Sequence, residues 1–86
     1  MTASGTDTVS VRVRFFALLR ERAGCEERCV ELPSGSTVAD LLERVGRELP
    51  DLPPGMAAAV DRTYASPDRR LHGGEEVALI PPVSGG

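Results

Sequence analysis

The sequence predicts an α+β domain in which one mixed sheet of four to five strands packs on one main helix. Three observations carry that expectation. Val9-Ser10-Val11-Arg12-Val13-Arg14-Phe15 alternates apolar and polar residues without a break, the pattern of a half-buried strand. A single apolar stripe at helical spacing runs from Val38 to Leu49, and three short β-type runs come after it. A chain of 86 residues leaves room for one domain, and a lone amphipathic helix among short strands can bury its stripe only against a sheet face.

Each element has its own local cause. Met1 to Thr8 is small and polar, with neither a basic start nor an apolar stretch; it reads as a flexible tail (1–8) rather than a signal peptide. The first strand opens the domain (9–80) and puts Val11, Val13 and Phe15 on one face. Phe16 breaks the alternation and falls on the polar side. Ala17 to Ala23 suits one or two helical turns, with Gly24 placed to cap them. A second strand covers Arg28 to Leu32, and Pro33-Ser34-Gly35 forces a turn.

The main helix starts at Ser36 or Thr37, either of which can cap its exposed N–H groups. Val38, Leu41, Leu42, Val45 and Leu49 form the stripe. Asp40 suits the positive end of the helix dipole. Glu43–Arg47 and Arg44–Glu48 are i,i+4 pairs on the wet side, each contributing about 0.2–0.5 kcal/mol. Pro50 ends the helix. After an irregular, proline-rich loop, Ala57 to Val60 and Thr63 to Ala65 read as short strands around an Asp61-Arg62 turn. His72-Gly73-Gly74 is a tight turn before the last strand, Glu75 to Ile80.

Composition removes several functions. All ten positive side chains are arginine, and lysine, asparagine, glutamine and tryptophan are absent. Against 13 carboxylates the net charge is -3, which argues against a general nucleic-acid binder. Without lysine there is no lysine Schiff-base chemistry, and the single histidine, His72, leaves little room for a metal site or a Ser-His relay. Cys25 and Cys29 stand in a C-x3-C arrangement with only His72 as a plausible third ligand; they read as ordinary small residues near a strand start. No metal is expected. The longest apolar runs hold five residues, too short to span a bilayer, and a cytoplasmic location is expected.

The last six residues, Pro81-Pro82-Val83-Ser84-Gly85-Gly86, are the informative ones. Proline cannot donate to a sheet ladder, so the pair ends strand pairing and stiffens the segment after it. Six extended residues reach about 20 Å. The glycines carry no side chain and suit a narrow channel. The expected picture is an extended tail (81–86) that presents the Gly86 carboxylate inside another protein.

At this point the chain resembles a known family. Val13-Arg14-Phe15-Phe16-Ala17, then Leu19-Arg20-Glu21 and Gly24, look like the opening of the small subunit of molybdopterin synthase. Leu32-Pro33-Ser34-Gly35-Ser36-Thr37-Val38-Ala39-Asp40-Leu41-Leu42 is similar to that family's turn and helix start. Glu76-Val77-Ala78-Leu79-Ile80-Pro81-Pro82-Val83-Ser84-Gly85-Gly86 resembles its end. Two turns depart from the pattern: Asp61 comes after Val60, and His72-Gly73-Gly74-Glu75 replaces an acidic-glycine turn.

The resemblance implies a β-grasp, ubiquitin-like fold and a sulfur carrier in molybdenum cofactor synthesis. An E1-like enzyme would adenylate Gly86 with ATP and Mg, and a sulfur-donor system would convert it to a thiocarboxylate. The loaded tail, Pro81 to Gly85, would thread into the large synthase subunit in a heterotetramer and give its sulfur to cyclic pyranopterin monophosphate. No cofactor would be held stably, and the chain would be a sulfur-donating subunit without a complete active site of its own. Position by position, Phe16, Tyr64 and Ile80 would lie on the partner surface. Arg20 matches a family arginine and would contact a partner or make a surface ion pair. Three other readings stay open: a carrier for another pathway (thiamin, cysteine or a secondary metabolite), a ubiquitin-like protein modifier joined through Gly86, and a plain binding module.

Overall fold

The computed structural model describes residues 7–82. Its elements are β1 (Thr8–Arg14), α1 (Ala17–Ala23), β2 (Glu27–Pro33), α2 (Val38–Glu48), β3 (Ala57–Val60), β4 (Thr63–Ala65) and β5 (Glu76–Ile80). The expected strands, short helix and main helix are all present, with bounds shifted by a residue or two. The sheet has five strands in the order β2-β1-β5-β3-β4. Its one parallel pairing is central: Arg12 lies opposite Glu76, Val13 opposite Val77 and Arg14 opposite Ala78. The remaining pairings are antiparallel.

One sheet face and α2 form the core. Val11, Val13, Val30, Leu32, Ala58, Val60, Val77 and Leu79 meet Val38, Leu41 and Val45 of α2, with Phe15, Leu19, Leu52 and Leu71 closing the ends. Phe15 and Leu19 are at most 1% exposed. The stripe is narrower than its spacing suggests, because Leu42 and Leu49 only flank this cluster.

Thr37, not Ser36, caps α2. Its hydroxyl accepts from the Asp40 N–H at 3.3 Å, and the Asp40 carboxylate accepts from the Thr37 N–H at 2.9 Å. This reciprocal box satisfies two exposed donors at once. The next donors are met from outside the helix: Val38 N–H bonds Arg69 O and Ala39 N–H bonds Pro67 O, both at 2.9 Å. The loop from Ser66 to Arg70 is thereby tied to the helix start. On the wet face, Arg44 pairs with Glu48 at 2.7 Å and Arg47 with Glu43 at 3.9 Å. Gly24 ends α1 at φ 78, a conformation that suits glycine.

The departing turns have physical replacements. Asp61 and Arg62 adopt φ 48 and 73 in a two-residue hairpin that sets Val60 opposite Thr63, as a tight right-twisted hairpin requires. The Asp61 carboxylate accepts from Glu76 N–H at 3.1 Å, which ties the hairpin to β5. In the other turn Glu75 is buried, at 7% exposure. Its carboxylate accepts from the backbone N–H of His72 at 2.8 Å and of Gly73 at 2.7 Å. Burial pushes the Glu75 pKa up, but the bonds from His72 and Gly73 outweigh it and hold the group below the usual glutamate value.

That balance gives a prediction. A depressed carboxylate pKa contributes stability that is fully present above the unfolded glutamate value, about 4.3. The contribution is lost as pH falls through the folded pKa. Glu75→Gln should therefore cost about 1–3 kcal/mol near neutral pH. The gap between variant and parent should close in acid. Denaturant midpoints measured across pH check this; a gap that is constant with pH would refute it.

Candidate docking surface and carrier tail

Sheet pleating sorts the side chains of β5. Val77 and Leu79 are buried, whereas Glu76, Ala78 and Ile80 are half-buried on the opposite face. The ladder pairs extend that outer face across the strands. Ala57 sits opposite Ile80 and Ala59 opposite Ala78, and Tyr64 sits opposite Ala59. The strand pattern alone leaves the facing of Tyr64 open, although the resemblance puts it on the partner surface. The tight hairpin settles it, because Tyr64 shares its face with Ala59 and not with buried Val60. It is 74% exposed, the most open large apolar side chain among the described residues.

Phe16 enters at the end of the sheet from which the tail leaves. Since β1 and β5 are parallel and Arg14 is level with Ala78, two more residues along each strand lead to Phe16 and Ile80. Phe16 is 48% exposed and lies under the Arg14 guanidinium, 5.3 Å from the ring centroid, a cation–π contact. Phe16, Ile80, Tyr64 and the three alanines therefore form an apolar field beside the root of the tail. Toward β1 and β2 the same face becomes charged, with Arg12 and Glu27 4.0 Å apart and Cys29 exposed.

Arg20 is exposed on α1 and has no ion-pair partner among the described residues. The tail begins in view: Pro81 and Pro82 are exposed after β5, and Pro82 lies beside Gly55 of the proline-rich loop. Val83, Ser84, Gly85 and Gly86 lie outside the described residues. Among the described residues, no three His, Cys, Asp or Glu groups gather as metal ligands. No helix there is long and apolar enough to cross a membrane.

Three features are not evident from sequence. Leu18 is 47% exposed, although adjacent leucines on one short helix signal that only one of the two faces the core. Arg14 bonds Glu76 at 2.8 Å, a pair separated by most of the chain and visible only once β1 and β5 are neighbours. That bond holds the Glu76 carboxyl below its ordinary range and raises the Arg14 pKa. Ala59 and Ala78, unremarkable in sequence, become the floor of the outer face.

Comparison with known proteins agrees with this architecture. The molybdopterin synthase sulfur carrier subunit of Chlamydomonas reinhardtii is 37% identical over 83 residues, covering 91% of this chain and all of that protein. A solved structure from Pyrococcus furiosus, described as a putative molybdopterin converting factor subunit 1, is 34% identical. It superposes with a TM-score of 0.78 over 87% of this chain and 99% of that one. SAMP1 from Haloferax volcanii is 28% identical, with a TM-score of 0.75 over 90% and 99% of the two chains. The fold is the ubiquitin-like β-grasp. Residues 13–86 match the ThiS family, and the chain belongs to it.

Proposed function

We propose that this chain is the sulfur carrier subunit of a molybdopterin synthase, acting in the cytoplasm through its C-terminal glycine. One observation carries the reading: the likeness to sulfur carrier subunits runs over nearly the whole chain; the apolar field flanking the point where the tail leaves β5 supports it. The domain holds the tail and presents a docking surface, and the reacting group is the Gly86 carboxylate.

The chemistry needs activation by another protein. A carboxylate is a poor electrophile because oxide does not leave. An E1-like enzyme using ATP and Mg joins the carboxylate to AMP and releases pyrophosphate. AMP is a good leaving group, and sulfur from a donor system replaces it to give the thiocarboxylate. The tail, Pro81 through Gly86, then enters the large synthase subunit, and sulfur passes to cyclic pyranopterin monophosphate. Two such deliveries supply the dithiolene. In this reading the acids, bases and phosphate-binding cations for that step come from the large subunit. Phe16, Tyr64 and Ile80 form the contact surface, flanked by Arg20.

A second reading is favoured by the Haloferax neighbour, whose protein is described as a small archaeal modifier. A modifier shares the adenylation and differs in its acceptor, a protein amine. Intact-mass measurement after incubation with the activating enzyme, ATP and a sulfur source separates the two. Replacement of one oxygen by sulfur is the expected result. Protein-sized adducts would favour the modifier. An unchanged mass with a competent activating enzyme would sink both.

A further inference from the structure

Beside the apolar field the outer face holds a cavity of about 260 Å³, lined by Arg14, Phe16, Ala59, Arg62, Glu76 and Ala78. Ala59 and Ala78 are paired across β3 and β5, and their small side chains leave the floor low. Longer side chains make the walls. Two guanidinium groups face one carboxylate, so the lining carries one net positive charge. Glu76 takes one arm of Arg14 at 2.8 Å, whereas the Arg14 Nε is buried without a hydrogen-bond partner. Arg62 has no ion-pair partner among the described residues. Arginine offers five N–H donors in a planar fork, so the accessible donor capacity at this place comes mainly from Arg62.

We infer that this cavity receives an acidic side chain of the large synthase subunit, its carboxylate lying between Arg14 and Arg62 and its methylene carbons resting on the Phe16 ring. The inference rests on the docking role proposed above for the neighbouring apolar field. Charge selects the occupant. A single carboxylate neutralises the one net positive charge, whereas a dianionic phosphate would leave one net negative charge beside the Glu76 carboxylate. Geometry agrees, because Phe16 belongs to both the cavity and the apolar field, so one partner covers the two together. An apolar centre flanked by a charge pair fixes orientation and speeds encounter more than it adds raw affinity.

The test is a calorimetric titration of the full chain with the large synthase subunit at low and high salt. Arg62 is exposed in the hairpin turn, so Arg62→Glu should fold like the parent, which circular dichroism checks. It should weaken binding about tenfold or more at low salt, with the gap shrinking as salt screens the charges. Arg62→Lys should keep most of the affinity. An Arg62→Glu loss of less than about threefold at low salt overturns the inference, as does a loss that salt leaves unchanged. Phe16→Asp separates this outcome from the docking role. If Phe16→Asp abolishes binding while Arg62→Glu binds normally, the cavity assignment falls and the docking surface stands. If Phe16→Asp also binds normally, the docking surface itself is refuted.

Discussion

A chain lacking Gly86 should fold normally and fail to load sulfur. The domain ends its sheet at Ile80, and Pro81 and Pro82 are already exposed, so the deletion leaves the described core complete. It does shorten the arm by about 3.5 Å. The new terminal carboxylate stops one residue short of the place where adenylation needs it. Misplacing a reacting atom by as little as ~1 Å can cost about 100-fold in rate, because reaction requires a near-attack geometry. A loss of at least that size is expected. Intact-mass kinetics with the activating enzyme measure the loading, and a denaturant melt checks that the midpoint is unchanged. Loading near the parent rate would remove Gly86 from the mechanism.

The neighbouring phenylalanines should give opposite phenotypes. Phe15 is 1% exposed at the end of the core. Phe15→Ala should cost about 3–5 kcal/mol through lost transfer energy and a residual cavity. A domain of this length has a total stability of roughly 4–13 kcal/mol, so this one change takes much or all of it. Phe16 is half exposed on the other face. Phe16→Ala should change stability by about 1 kcal/mol or less, including the lost contact with Arg14. As the aromatic anchor of the docking surface it should cost about 2 kcal/mol of partner binding, roughly a 30-fold rise in Kd. Urea melts and titration with the large subunit measure the two effects. A large stability loss for Phe16→Ala, or unchanged binding by it, would contradict the division of labour between the two faces.

Much of this was legible in the sequence because short-range physics decides it. Alternation from Val9 to Phe15 fixed which face of β1 is buried; β5 is a continuous apolar run, Val77-Ala78-Leu79-Ile80, and strand pleating alone sends Ala78 and Ile80 outward. Gly24 and Thr37 announced helix ends through their own conformational and hydrogen-bonding preferences. What stayed hidden depends on strand neighbours far apart in sequence. Arg14 meets Glu76 only because β1 and β5 are adjacent. Tyr64 faces outward only because the Asp61-Arg62 turn is two residues long with both residues left-handed, a choice unusual for arginine. Glu75 looked like the first residue of a strand, yet it closes the preceding turn from inside. The loop carbonyls of Pro67 and Arg69 replace a longer cap on α2, and no local pattern marks them.

The parallel pairing of β1 and β5 has a mechanical consequence. The tail continues directly from β5, which is clamped between β1 on one side and β3 on the other. Tension applied at the C-terminus acts along the strand axis. It therefore loads the hydrogen bonds of both ladders together, in shear, instead of peeling them off one at a time. A partner that grips the threaded tail, or an unfolding machine that pulls on it, works against the stiffest direction of the domain. In the carrier role proposed above, withdrawal from the large subunit would leave the fold intact for another round of loading.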